Sequence, residues 1–134
     1  MTEETNVVVR KVYSKAFGDH IKELRLSKNW SVRAMGNILG VSHTYVNDLE
    51  TGSRPAPPKD KLEILIKVFD IDKSRTELNH FLDLAAETRN AVPIDVEEFI
   101  LQNPILVEFI RKIKNREFIN AEYVDKVLKT VRID

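Results

Sequence analysis

His43, Thr44 and Asn47, with Asp48 one step further on, are the early outward positions of a short helical segment whose apolar positions are Tyr45, Val46 and Leu49. Their chemistry is hydrogen bonding. Asparagine matches the paired donor and acceptor on an adenine edge, threonine suits a thymine methyl or a base edge, and histidine suits a purine acceptor. A second set, Thr51, Gly52, Ser53 and Arg54, follows directly, and Ser31, Val32 and Arg33 open the preceding helical segment. Arginine, hydroxyls and backbone amides of this kind hold phosphates, and such contacts fix register without reading sequence. Tyr45 can lie on a sugar-phosphate backbone or pack half-buried.

Other chemistry finds little support. With no cysteine there is no disulfide framework, thiolate zinc site or cysteine nucleophile. His20, His43 and His80 fall on three separate predicted helices without metal-ligand spacing. Glu97 and Glu98 are neighbours that point to different faces. Trp30, Met35 and the phenylalanines sit at core spacing and call for no cofactor. The reading is of a protein that binds and does not catalyse, with no metal and no cofactor.

The elements that must position these groups are helices. Only four glycines and five prolines occur in 134 residues, and three of the prolines cluster at Pro55, Pro57 and Pro58. Phe17, Ile21 and Leu24 recur at helical spacing in a first helix that ends near Asn29. Ser31 caps a short second helix carrying Met35, Ile38 and Leu39, stopped by Gly40. Ser42 caps the third, stopped by Gly52. Asp60 with Glu63, Ser74 with Glu77, and Asp95 with Glu98 have the form of capping boxes opening later helices. Pro104 suits the first position of a helix, and Asn120 caps the last. The expected class is all-α. A three-residue turn between two short helices is what a helix-turn-helix needs, because one helix must brace the other as it enters a major groove.

The run Ile21 to Arg25, Trp30 to Gly36, Leu39-Gly40-Val41-Ser42, Tyr45-Val46 and Leu49-Glu50-Thr51-Gly52 resembles the Xre family, the helix-turn-helix of lambdoid phage repressors and many bacterial regulators. The resemblance covers about the first half of the chain. It implies a five-helix domain whose third helix reads bases, and a partly buried structural ion pair between Arg25 and Glu50. Two positions depart from the family pattern. Val32 stands where many members place a phosphate-binding glutamine, leaving the backbone amides of Ser31 to Arg33 for that contact. Gly36 replaces a small alanine, which allows close helix packing at about 1 kcal/mol of helix propensity.

Residues 1–16, with Val7-Val8-Val9, Arg10, Lys11 and Lys15, are read as an arm, 17–90 as the helix-turn-helix domain, and 91–134 as a helical region for dimerisation. Leu106, Phe109, Ile110, Ile113, Val124, Val127, Leu128 and Val131 are the expected dimer interface, against the alternative of a core within the chain. The functional expectation is a transcriptional repressor that binds a pseudo-palindromic operator in double-stranded DNA as a homodimer. The alternative is an antitoxin or other module that binds a toxin or regulatory protein through the C-terminal helices. An acidic, polar start without the order of a signal peptide, and the lack of any long apolar run, point to the cytoplasm and away from a membrane.

The whole chain is neutral, 21 basic against 21 acidic residues, which alone argues against a nucleic-acid binder. From Arg10 to Lys59, however, nine basic residues face four acidic ones, a net of +5 balanced by −5 elsewhere. Neutrality is a cancellation between a basic head and an acidic remainder. So modest a positive charge leaves useful affinity to base contacts and to dimerisation.

Overall fold

The computed structural model describes residues 13–132, all helix and connection; Val7-Val8-Val9, Arg10 and Lys11 lie outside the described residues. The described residues form two compact units, one through Ala91 and one from Val92. The first holds α1 (Lys15–Ser27), α2 (Val32–Leu39), α3 (His43–Thr51), α4 (Lys59–Val68), a 3-10 turn (Ile71–Lys73) and α5 (Arg75–Glu87). The second holds α6 (Ile94–Gln102), α7 (Pro104–Lys114) and α8 (Ala121–Thr130). No helix among the described residues is long and apolar enough to cross a membrane.

Local chemistry sets most boundaries. The hydroxyl of Ser31 accepts from Ala34 N at 3.0 Å and that of Ser42 from Tyr45 N at 3.1 Å, each satisfying an amide that a helix start leaves without a partner. Gly40 and Gly52 end α2 and α3 at φ of 73° and 82°, the left-handed conformation glycine adopts at little cost. Ser74 and Asn120 cap α5 and α8 in the same way. Two expected caps differ. Asp60 and Asp95 lie inside the first turns of α4 and α6, because Pro58 and Pro93 occupy the cap positions. A proline has no N–H to satisfy and its fixed φ suits a helix entrance, so the helix begins just after it. The two aspartates then favour the positive ends of their helices from within.

In the first unit α3 packs against both α1 and α2, and α5 packs against α1. Phe17, Ile21, Met35, Leu39, Val46, Leu49, Leu65 and Phe81 are almost wholly removed from water. Phe17 and Phe81 meet with ring centroids 5.7 Å apart. Gly18 lets α1 approach the α3 backbone closely. A Cβ built there would lie 2.5 Å from the Leu49 carbonyl oxygen and 2.6 Å from that of Glu50. Gly36 plays a similar part at the turn: its carbonyl accepts from Val41 N at 2.8 Å, and a Cβ would meet Val41 O at 2.8 Å. His20 of α1 and His80 of α5, remote in sequence, face each other edge to face at 5.4 Å. Burial first, and the neighbouring His80 second, push the His20 imidazole below its ordinary pKa.

The second unit is built differently. Among its described residues Val127 is the one apolar side chain that is buried, whereas Leu101, Ile110, Ile113, Phe118 and Leu128 are exposed. Asn103, 4% exposed, sits buried at the break between α6 and α7. The Asn103 amide donates to Phe99 O at 2.9 Å and accepts from Arg132 N at 2.8 Å, tying the end of α6 to the chain just past α8. Phe109 packs on Tyr123 at 6.0 Å, and the Tyr123 hydroxyl donates to Glu108 at 2.7 Å.

Gly18→Ala separates packing from propensity. Alanine is the better helix former by about 1 kcal/mol, but overpacking costs about 1–3 kcal/mol. Because the obstruction at Gly18 is backbone on α3 and cannot rotate away, a net loss of stability in urea unfolding is expected. A gain would show that α1 and α3 separate easily.

Candidate nucleic-acid interface

The third helix is anchored at its end and presented at its face. Arg25, 7% exposed in the last turn of α1, donates from Nε to Glu50 Oε2 at 2.6 Å and from Nη2 to Glu50 Oε1 at 2.9 Å. Its remaining nitrogen, Nη1, donates to Trp30 O at 2.8 Å, and Trp30 N donates back to Arg25 O. The guanidinium thus ties α1, the last turn of α3 and the entrance to α2 at one point. Hydrogen bonding to Glu50 raises the Arg25 pKa above its already high ordinary value. The Trp30 ring packs at a tilt against Phe69, just past α4, with ring centroids 5.4 Å apart.

Turned away from the buried Val46 and Leu49 of α3, Thr44, Asn47 and Thr51 follow one another at i, i+3 and i+7 and are exposed, with His43 at the helix start. These spacings place side chains in one row along a helix. The row is polar throughout and carries donors and acceptors of the kinds that read base edges. Asp48 lies at its margin, half-buried, its carboxylate 3.9 Å from Arg54 Nη2. Asp48 thus stands between the row and Arg54.

Arg54 extends back along the helix from the loop, its guanidinium 4.2 Å from the centre of the Tyr45 ring. Tyr45 is half-buried, so the arginine stem and ring cover each other while the charged end stays outside. Ser53 and Thr51 are exposed and their hydroxyls lie 3.0 Å apart. The expectation that the Thr51 and Gly52 amides face a phosphate is corrected. Thr51 N–H lies within α3, and Gly52 N–H donates to Leu49 O at 3.3 Å with the glycine buried. Amides at a helix C-terminus point back into the helix, so what that end offers is hydroxyls and a cation.

The N-terminus of α2 is the second anion-compatible edge. Its first helical bond runs from Met35 N to Ser31 O, and Ala34 N is taken by the Ser31 hydroxyl. The amides of Val32 and Arg33 precede that ladder, and the exposed Arg33 side chain stands beside them. Lys15, read with the arm, is engaged by Asp19 at 2.7 Å on the surface of α1. In the expected dimer set, Ile110, Ile113, Val124 and Leu128 are exposed and Leu106, Phe109 and Val131 half-buried. Val127 is corrected: at 3% exposed it is buried and closed to a partner.

Sequence reasoning missed Gly18, the Trp30 carbonyl that fills the third side of Arg25, and the Arg54 stack on Tyr45. A glycine in the first turn of a predicted helix, beside the apolar Phe17, was the available signal for the first. The other two depend on contacts that spacing does not encode.

Residues 16–81 match the family model of a helix-turn-helix domain, and the described residues are all-α, with further helices following that domain. The match supports a DNA-binding regulator. No curated protein matches the chain.

Glu50→Ala leaves a buried guanidinium without its counter-charge, and a loss of about 3–5 kcal/mol in denaturant unfolding is expected. The double substitution Arg25→Met with Glu50→Leu is expected to cost less than that single change. Equal stability of Glu50→Ala and the parent would contradict a structural role for the pair.

Proposed function

We propose that this chain is a sequence-specific transcriptional regulator of the Xre type, a repressor that occludes promoters by binding a pseudo-palindromic operator as a homodimer. The observation that carries the reading is the row of Thr44, Asn47 and Thr51, polar and exposed on a short helix whose inner end is tied to α1 through Glu50. A helix that docks on protein more often shows an apolar outer face. In this reading Thr44 and Asn47 contact bases, with His43 at the helix start. Arg54, Ser53 and Thr51 contact phosphates at one edge, while the α2 N-terminus with Ser31, Val32 and Arg33 does so at the other. Asp48 restrains Arg54. The protein acts by binding and not by catalysis, in the cytoplasm where its DNA is.

Dimerisation through the second unit is supported by its exposed Ile110, Ile113 and Leu128, large side chains that two copies can cover. One small reading head rarely binds tightly alone, and a symmetric operator needs two heads about 34 Å apart. The same exposed residues favour the second reading, in which they bind a toxin or another regulatory protein. Both uses can coexist in one protein.

Selection of bound duplexes from a random pool tests the reading. Enrichment of two inverted half-sites is expected, and a pool left without any enriched sequence would overturn it. With the selected duplex, Asn47→Ala is expected to relax preference at one base position by about 1–3 kcal/mol. Arg54→Ala is expected to weaken every sequence alike and lower the salt slope by about one. For the dimer, Ile110→Lys with Ile113→Lys is expected to sediment as a monomer where the parent sediments as a dimer. Tight dimers of that variant would place the interface elsewhere.

A further inference from the structure

The loop from Ser53 to Pro58 carries Arg54 and contains three prolines. Proline fixes its own φ and restricts the residue before it, so Pro55 and Pro57 leave Arg54 and Ala56 few conformations. Ala56 is also pinned at both backbone groups. Its N–H donates to Thr88 Oγ1 at 2.8 Å, and its carbonyl accepts from Arg89 Nη2 at 2.5 Å. Thr88 is 5% exposed, and its own hydroxyl proton goes to Ala85 O at 2.7 Å. With that proton committed, the oxygen can only accept from Ala56. On the other side of Arg54, Gly52 O accepts from Tyr13 N at 2.9 Å. The loop is thus held two residues before Arg54 and two residues after it.

We propose that Thr88 and Arg89, at the end of α5, are positioning residues that fix the Arg54 loop for contact with a DNA phosphate; this rests on the reading of α3 as a DNA-binding helix. A free loop would have to be ordered when DNA binds, and that ordering lowers affinity. Here Ala56 is ordered in advance by the side chains of Thr88 and Arg89, and the tyrosine stack orders the guanidinium itself. Loss of the clamp therefore acts on backbone affinity and leaves base preference alone.

The test uses the full chain and the selected duplex, with Kd measured across salt concentrations. Thr88→Val keeps the shape of the side chain and removes both hydroxyl bonds. It is expected to weaken binding about five- to tenfold and to lower the salt slope by about one, as loss of one phosphate contact does. Its base preferences are expected to stay as in the parent. Thr88→Ser, which keeps the hydroxyl, is expected to restore parental binding. In an Arg54→Ala background, Thr88→Val is expected to change the slope no further. Arg89→Ala removes the second bond from an exposed position, and a shift in the same direction is expected whether or not Thr88→Val folds. If Arg54→Ala lowers the slope while folded Thr88→Val and Arg89→Ala leave it unchanged, the clamp is overturned and the DNA-binding reading stands. If the parent chain binds no duplex, both fall together.

Discussion

A single buried guanidinium organises the head of this protein. Arg25 uses all three of its nitrogens inside the first unit, two on the Glu50 carboxylate and one on the Trp30 carbonyl. A charge taken from water is tolerated only where such partners surround it, so the site permits one arrangement of α1, α3 and the α2 entrance. Gly18 makes that arrangement possible, since any side chain there would collide with the α3 carbonyls beside Glu50. The polar row on the outer face of α3 inherits its direction from this inner contact.

The two units divide the physical tasks. The first spends its apolar residues on a closed core and shows polar groups on α3. The second holds its helices through a buried asparagine and leaves large apolar side chains outside. Apolar groups left in water are a free-energy reserve for association, roughly 25 cal/mol for each Å² later covered. A modestly basic head gains less from phosphate attraction than a strongly basic one. In the proposed homodimer, pairing two heads makes up that difference.

Sequence revealed what local chemistry decides. Ser31, Ser42, Ser74 and Asn120 cap helices because a cap needs only a side chain and an amide three residues on. Gly40 and Gly52 stop helices for reasons of their own backbone. Asp60 and Asp95 looked equally like caps, yet the preceding prolines moved the helix starts ahead of them. The pattern of apolar residues on α8 marked Val127 as one of a surface set, because spacing identifies a face without saying how deeply each residue sits. Ala56 with Thr88, Arg25 with Trp30's carbonyl, and His20 with His80 join segments only after folding. No spacing rule announces such pairs.

In the proposed complex α3 meets the bases with the row containing Asn47. Placing a photoreactive side chain at position 47 of the full chain, and mapping its crosslinks on a selected duplex, tests this most directly. Crosslinks are expected at one base position in each half-site, on the major-groove edge. Crosslinks confined to sugar and phosphate, or none at all in a complex that forms normally, would contradict it.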